Sequence, residues 1–212
     1  MPITSTGAWT KNYEAMKRYW AARRSPVSNQ PFGSIVDESG VPLYSISYVS
    51  TYNASGLPIG NITDTTYQKN TSEGQNLQLV LGGQQSSVVP SEDDYTIYGP
   101  IRNAQNNAIL SYRNITNTNV TPGADGEGNY VSGIRSSVTI QNITANPITV
   151  YEWGLFTGLT ASVTSGGSAT TRQVLLYRGV LSEPVTLGQW DTITITFDRY
   201  MKVAMQESGT TP

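Results

Sequence analysis

The chain has 212 residues, 13 basic and 15 acidic, and contains neither histidine nor cysteine. Without histidine the commonest general base, metal ligand and pH switch are absent, as is every His-containing catalytic triad. Without cysteine there are no disulfides, thiolate zinc sites or cysteine nucleophiles.

Charged residues are only 13% of the chain, against about a quarter in an ordinary soluble domain, so Ser, Thr, Asn, Gln and Gly must build the surface. A net charge of −2 predicts no bulk attraction to nucleic acid or membrane. No apolar run approaches the ~20 residues of a membrane span, and the first residues lack the pattern of a signal peptide.

In chain order, residues 7–24 read as one amphipathic α-helix. Trp9, Tyr13, Met16 and Trp20 fall at i, i+4, i+7 and i+11 and stack on one face. Thr6 is placed to cap its start, and Ser25-Pro26 ends it. The helix carries Lys11, Lys17, Arg18, Arg23 and Arg24 against Glu14, leaving eight basic and fourteen acidic residues elsewhere. A basic, aromatic-striped helix is thus attached to an acidic body. Two uses of its face stand side by side: completing a core, or docking as an arm on a neighbouring subunit.

Residues 26–75 read as an extended connector holding the first strand or strands. Pro26, Pro31, Gly33, Gly40 and Pro42 punctuate it, and Tyr44, Ile46 and Tyr48 alternate with serines in a strand over 43–53. Leu77, Leu79 and Leu81 alternate again and stop at Gly82-Gly83. A loop runs to Asp94–Tyr98, a strand follows around 108–115, and Pro122–Asn129 reads as a loop. Tyr130–Asn142 is the next strand.

The closing block supplies Pro147–Phe156, Gln173–Arg178, Glu183–Leu187 and Asp191–Phe197. Its last run has the clearest period of two, with Ile193, Ile195 and Phe197 on one face and Thr192, Thr194 and Thr196 on the other. Eight or nine short strands and one helix predict an all-β fold: an antiparallel β-sandwich, jelly-roll or Ig-like, over 76–201. Residues 1–25 form its helical arm and 202–212 a tail.

Carboxylates are the only candidate catalytic groups. Glu92, Asp93 and Asp94 follow Val89-Pro90, and Asp125 and Glu127 sit in a glycine-rich loop. A glycosidase needs two carboxylates across a cleft, and calcium needs six to eight oxygens; ordinary turn chemistry explains both groups better. The expectation is no catalytic residue, no metal site and no cofactor. Glu152 differs because it lies inside an apolar strand, where a charge is costly unless paired. Arg172 and Arg178 on the following strand are its candidate partners, in a structural ion pair. Asn-x-Ser/Thr triplets at Asn53, Asn61, Asn70, Asn114, Asn119 and Asn142 are read as products of composition.

Two segments carry a resemblance. The first is Leu79-Val80-Leu81-Gly82-Gly83 leading to Val89-Pro90-Ser91-Glu92-Asp93-Asp94-Tyr95. The second joins Glu152, Gly154 and Leu155 to Leu175, Leu176, Arg178, Leu181, Pro184 and Val185, and then to the Thr192–Phe197 strand. Together, over a little more than half of the chain, they resemble β domains of tailed-bacteriophage virion structural proteins of the tail, collar and head-fibre kind. Trp190, in the turn Leu187-Gly188-Gln189-Trp190, is an addition to that pattern.

The resemblance implies a non-enzymatic virion protein, located in the particle, whose partners are other copies of itself and other virion proteins of the tail, neck or capsid. Neither nucleic acid nor membrane is expected as a partner. The interface would lie on the helical arm, at Trp9, Tyr13, Met16, Trp20, Arg23 and Arg24. The alternative is a carbohydrate- or receptor-binding sandwich at a virion tip, which would show exposed Tyr or Trp beside Asn or Asp. A carboxylate-only hydrolase is third.

Overall fold

A computed structural model describes residues 5–21, 35–48, 77–103, 107–124 and 129–204. These residues form two antiparallel sheets and one short helix, an all-β sandwich-like fold. The strands are β1 (Ser5–Trp9), β2 (Ser45–Tyr48), β3 (Leu77–Gly82), β4 (Pro100–Ile101), β5 (Leu110–Ala124), β6 (Asn129–Asn142), β7 (Ile148–Ser162), β8 (Thr170–Leu187) and β9 (Thr192–Ala204); the helix α1 spans Lys11–Ala21. The large sheet has the order β1-β8-β7-β3-β4, with β2 also paired to β7, and the small sheet has the order β5-β6-β9.

The small sheet follows the expected pattern. Ile193 and Ile195 of β9 are buried beside Val138 and Ile140 of β6, and Thr192, Thr194 and Thr196 face outward. The outward face is laced by hydroxyl pairs, Thr139 with Thr194 at 3.0 Å and Thr196 with Ser137 at 3.0 Å.

The large sheet is covered on both sides. In β3, Leu77, Leu79 and Leu81 join the main core between the sheets. Val80 points the other way, into a second cluster with Ile97, Phe156 and Leu175. The loop between β3 and β4 supplies Ile97 and so covers that outer face.

Several boundaries correct the sequence reading. Gly7, Ala8 and Trp9 are strand: they pair with Gly179, Arg178 and Tyr177 along the edge of β8. The helix therefore starts at Lys11, and its cap is Thr10, not Thr6. Thr10 accepts at its carbonyl from the Tyr13 and Glu14 amides, and its hydroxyl donates to the Leu175 carbonyl at 2.8 Å. Edge pairing with a long strand has prevailed over a local helical pattern that glycine already weakened.

Gln173–Arg178 and Glu183–Leu187 belong to one strand, β8. Its Pro184 is tolerated because residues 181–184 bulge out opposite Tyr151, between the pairs Val150↔Val185 and Glu152↔Val180. Pro122–Ala124 continue β5, with Gly123 opposite Val131 and Ala124 opposite Tyr130. β9 runs on to Ala204, past the expected start of the tail.

The N-terminal segment is sewn into this body rather than projecting from it. Tyr13 and Met16 are 6% and 2% exposed and belong to the main core. Trp9 stacks on Tyr13 at 4.1 Å between ring centroids and meets Tyr177 edge-on at 5.0 Å. Trp153 lies 4.8 Å from Tyr177 and 5.4 Å from Phe197. An aromatic file therefore runs from α1 through the large sheet to the small one. Asn12 adds polar stitches: its amide donates to the carbonyls of Val36 (2.9 Å) and Leu175 (3.2 Å), and its side-chain oxygen accepts from the Val36 amide at 2.8 Å. Of the segment expected as a connector, residues 35–48 are anchored too, with Ile35 and Leu43 fully buried and β2 paired to β7.

On either side of the β7–β8 pair the chain crosses between the sheets, through residues 143–147 and 188–191. One buried side chain fastens both crossings. Asn142 donates to the carbonyls of Asn146 (2.9 Å) and Leu187 (3.0 Å) and accepts from the backbone amide and hydroxyl of Thr144. Its backbone amide donates to Asp191 O at 3.0 Å, and its carbonyl accepts from the Trp190 amide at 2.8 Å.

Candidate functional site

The outer face of the large sheet holds the most polar part of the interior. Direct pairing places Val80, Gly154 and Arg178 in one row across β3, β7 and β8, and Glu152 lies two residues along β7 on the same face. Arg178 is fully buried and Glu152 is 1% exposed. Arg178 Nε and Nη2 donate to Glu152 Oε2 at 2.8 and 2.7 Å, and Nη1 donates to Asp94 Oδ2 at 3.1 Å. The Tyr98 ring covers the guanidinium at 4.9 Å. The Tyr98 backbone amide donates to the second oxygen of Glu152, and Asp94 also accepts from the Ser91 amide at 2.9 Å.

Two glycines make space on this face, Gly82 for the polar cluster and Gly154 for the apolar one beside it. A Cβ on Gly82 would stand 2.6 Å from Glu152 Cγ, and one on Gly154 would meet Ile97, Phe156 and Leu175 at 2.7–2.9 Å. Gly82 of the Gly82-Gly83 motif is thus a matter of clearance for the buried carboxylate as well as part of a strand stop.

Burial alone would lower the Arg178 pKa. The hydrogen bonds and charge of Glu152, and then of Asp94, outweigh it and hold the guanidinium above its ordinary value. Both Glu152 oxygens accept hydrogen bonds from the protein itself, and the side chain is 1% exposed. The arrangement suits a clamp: it ties loop residues 91–98 to the strands beneath. A second, exposed tie joins the same loop to the helix, where Lys11 meets Asp93 at 2.6 Å and Glu92 at 3.4 Å. Hydrogen bonds to these carboxylates, Asp93 first, raise the Lys11 pKa.

The sequence-expected residues sort as follows. Arg178 is the partner of Glu152. Arg172 is not; it reaches Asp37 at 3.3 Å, and Asp37 also accepts from the Ser39 and Val41 amides at 3.0 Å. Asp94, weighed with Glu92 and Asp93 as a possible acid, is the third member of the clamp, which sequence spacing did not reveal. Its contact with Arg178 spans 84 residues.

The docking-arm expectation is corrected for Tyr13 and Met16, which are spent on the chain's own core. Trp9 is half-buried in the aromatic file. Arg23 and Arg24, the side chains of Trp20 and Asn119, Asp125 and Glu127 lie outside the described residues, as do Asn53, Asn61 and Asn70. Asn142 is fully buried and cannot carry a glycan as folded. Asn114 has φ +49°, at an irregularity in β5. Among the described residues there is no cluster of three or more Asp or Glu that could hold a metal ion. No described helix is long and apolar enough to cross a membrane.

One surface residue stands apart. Trp190 is 58% exposed and has φ +70°. It sits third in the turn Gly188-Gln189-Trp190-Asp191, closed by the Asp191 amide donating to Gly188 O at 3.1 Å. With its Cβ in the left-handed region, such a residue costs about 1–2 kcal/mol that glycine would avoid. The turn is nonetheless held firmly: the Trp190 carbonyl accepts from Gln141 Nε2 at 2.8 Å, and the Gly188 amide donates to Asp191 Oδ2 at 2.8 Å.

Set against known proteins, the chain matches no family model, no curated protein and no solved structure.

Proposed function

We propose that the chain is a non-enzymatic structural subunit of a bacteriophage virion, in the tail, collar or head-fibre, and that it works as a homo-oligomer. One observation carries the reading. Asp94, from one of the two segments that resemble virion proteins, meets Glu152 and Arg178, from the other, in a single buried cluster. Residues of both resembling segments therefore belong to one folded unit. A surface poor in charge fits the same reading, because neutral hydroxyl and amide faces lose little solvation when copies pack together. The assembling surface in this proposal is not the Tyr13–Met16 face of the helix, which is already inside; the hydroxyl-rich outer face of β6 and β9 is the better candidate.

Two measurements test it. Light scattering on the purified chain should give a defined oligomer, and a monomer at every concentration would remove the homo-oligomer. Peptide mass spectrometry on density-banded phage particles from the source culture should find the chain; its absence there would remove the virion. The second reading, a carbohydrate- or receptor-binding module, is favoured by the exposed Trp190.

A further inference from the structure

We infer that Trp190 is the stacking platform of a carbohydrate-binding site that recognises a pyranose ring of a neutral glycan. The inference does not need the assembly reading and holds for a free protein as well.

The backbone makes the first argument. Position three of this turn favours glycine, and a bulky residue there is uncommon unless something requires its side chain. More than half of the indole faces solvent: Trp190 is 58% exposed. The hydrogen bonds of the turn are made by other groups: Gln141 and Asn142 hold the Trp190 backbone, and Asp191 holds Gly188. A side chain that strains its backbone and keeps most of its ring in solvent is open to a ligand outside the molecule. The firm turn also fixes the direction in which the ring is offered, which lowers the ordering cost of binding.

The surroundings decide the chemistry of the ligand. The exposed polar neighbours along both crossings are neutral amides and a hydroxyl: Gln189 and Thr192 on one, Asn146 on the other. Asp191 adds one carboxylate. An apolar protein partner would call for further large apolar side chains around the ring. The crossings expose none larger than Ala145 and Pro147. A sugar needs the opposite combination. Its C–H face carries slight positive charge and lies on the negative face of an indole, and its hydroxyls want amide and carboxylate partners at the rim.

The test uses the full chain, labelled with nitrogen-15, and reads the tryptophan indole resonances. Methyl β-galactoside, N,N′-diacetylchitobiose and maltotriose are titrated to about 50 mM, well above a millimolar Kd. At least one sugar should shift the Trp190 indole signal, identified by its loss in Trp190→Gly. That variant should stay folded, because the hydrogen bonds of the turn are made by Gln141, Asn142 and Asp191, and bind the same sugar at least about tenfold more weakly. If no sugar moves the signal, or if binding survives in Trp190→Gly, the inference is wrong. Should Trp190→Gly instead alter the mass in light scattering with no sugar response in the parent, the ring belongs to an interface between copies and the glycan site is overturned. If the variant fails to fold, the parent titration alone decides.

Discussion

The two sheets obey the same chemistry and look different in sequence. The small sheet is wet on one face, so β9 alternates Ile with Thr and its burial alternates with it. The large sheet is dry on both faces where the 83–99 loop lies over it, so all six residues of β3 are buried although its leucines alternate. Alternation therefore reports a pattern of residues, while burial reports what the rest of the chain brings to each face. The difference also sorts the polar groups. The hydroxyl pairs and the Arg135–Asp198 ion pair of the small sheet keep water, whereas Glu152 and Arg178 of the large sheet are buried and must find one another.

Breaking the clamp should have the largest effect. Arg178→Ala leaves Glu152 buried and Asp94 half-buried without their cation and should cost about 3–5 kcal/mol in denaturant unfolding. Arg178→Met combined with Glu152→Gln and Asp94→Asn should recover much of that loss. If Arg178→Ala costs no more than an exposed substitution, the clamp does not hold the loop. Next, Val80→Asn puts an amide into the dry outer face and removes a buried valine, for a loss of about 3 kcal/mol; an unchanged midpoint would mean that the loop does not cover this face.

A third test uses pH. Burial raises the pKa of Tyr112, whose hydroxyl donates to Leu79 O at 3.0 Å, and also that of Tyr177. Above pH about 10 the unfolded chain releases these protons while the folded chain keeps them, so stability falls as pH rises. The slope reaches about 1.4 kcal/mol per pH unit for each such tyrosine and should be shallower in Tyr112→Phe. An equal slope in that variant would place Tyr112 in contact with water. The smallest effect belongs to the wet face, where Thr194→Val should change the midpoint by no more than about 0.5 kcal/mol.

Much of the sandwich was legible. The Ile/Thr run of β9, the glycine stop of β3 and the polar turns gave the strands and the class of fold, because period and turn chemistry are local. Glu152 was legible as a charge in an apolar run that needed a cation. What could not be read was distance along the chain. Nothing local distinguishes Arg172 from Arg178, which lie on one strand; Asp37 takes the first and Asp94 joins the second. Thr6 and Thr10 are both fair caps, and β8 decides between them by pairing with Gly7–Trp9. The aromatic stripe was legible as a face, but its destination depended on Tyr177 and Trp153, more than a hundred residues away.

The double fastening at Asn142 has a consequence for the order of events in folding. The β7–β8 hairpin lies wholly between the two crossings, and its strands are neighbours in sequence. β6 and β9 are not: Gln141 pairs with Thr192 and Asn129 with Ala204, so their ladder closes around an inserted hairpin. Loops of that length are slow to close, whereas a hairpin forms in microseconds. The insert should thus be structured early and the small sheet completed last, with Asn142 as the latch that drops once both crossings are in place. A ribosome-bound chain that stops short of β9 would carry a finished hairpin beside a sheet missing its third strand, waiting for the last thirteen residues of ladder.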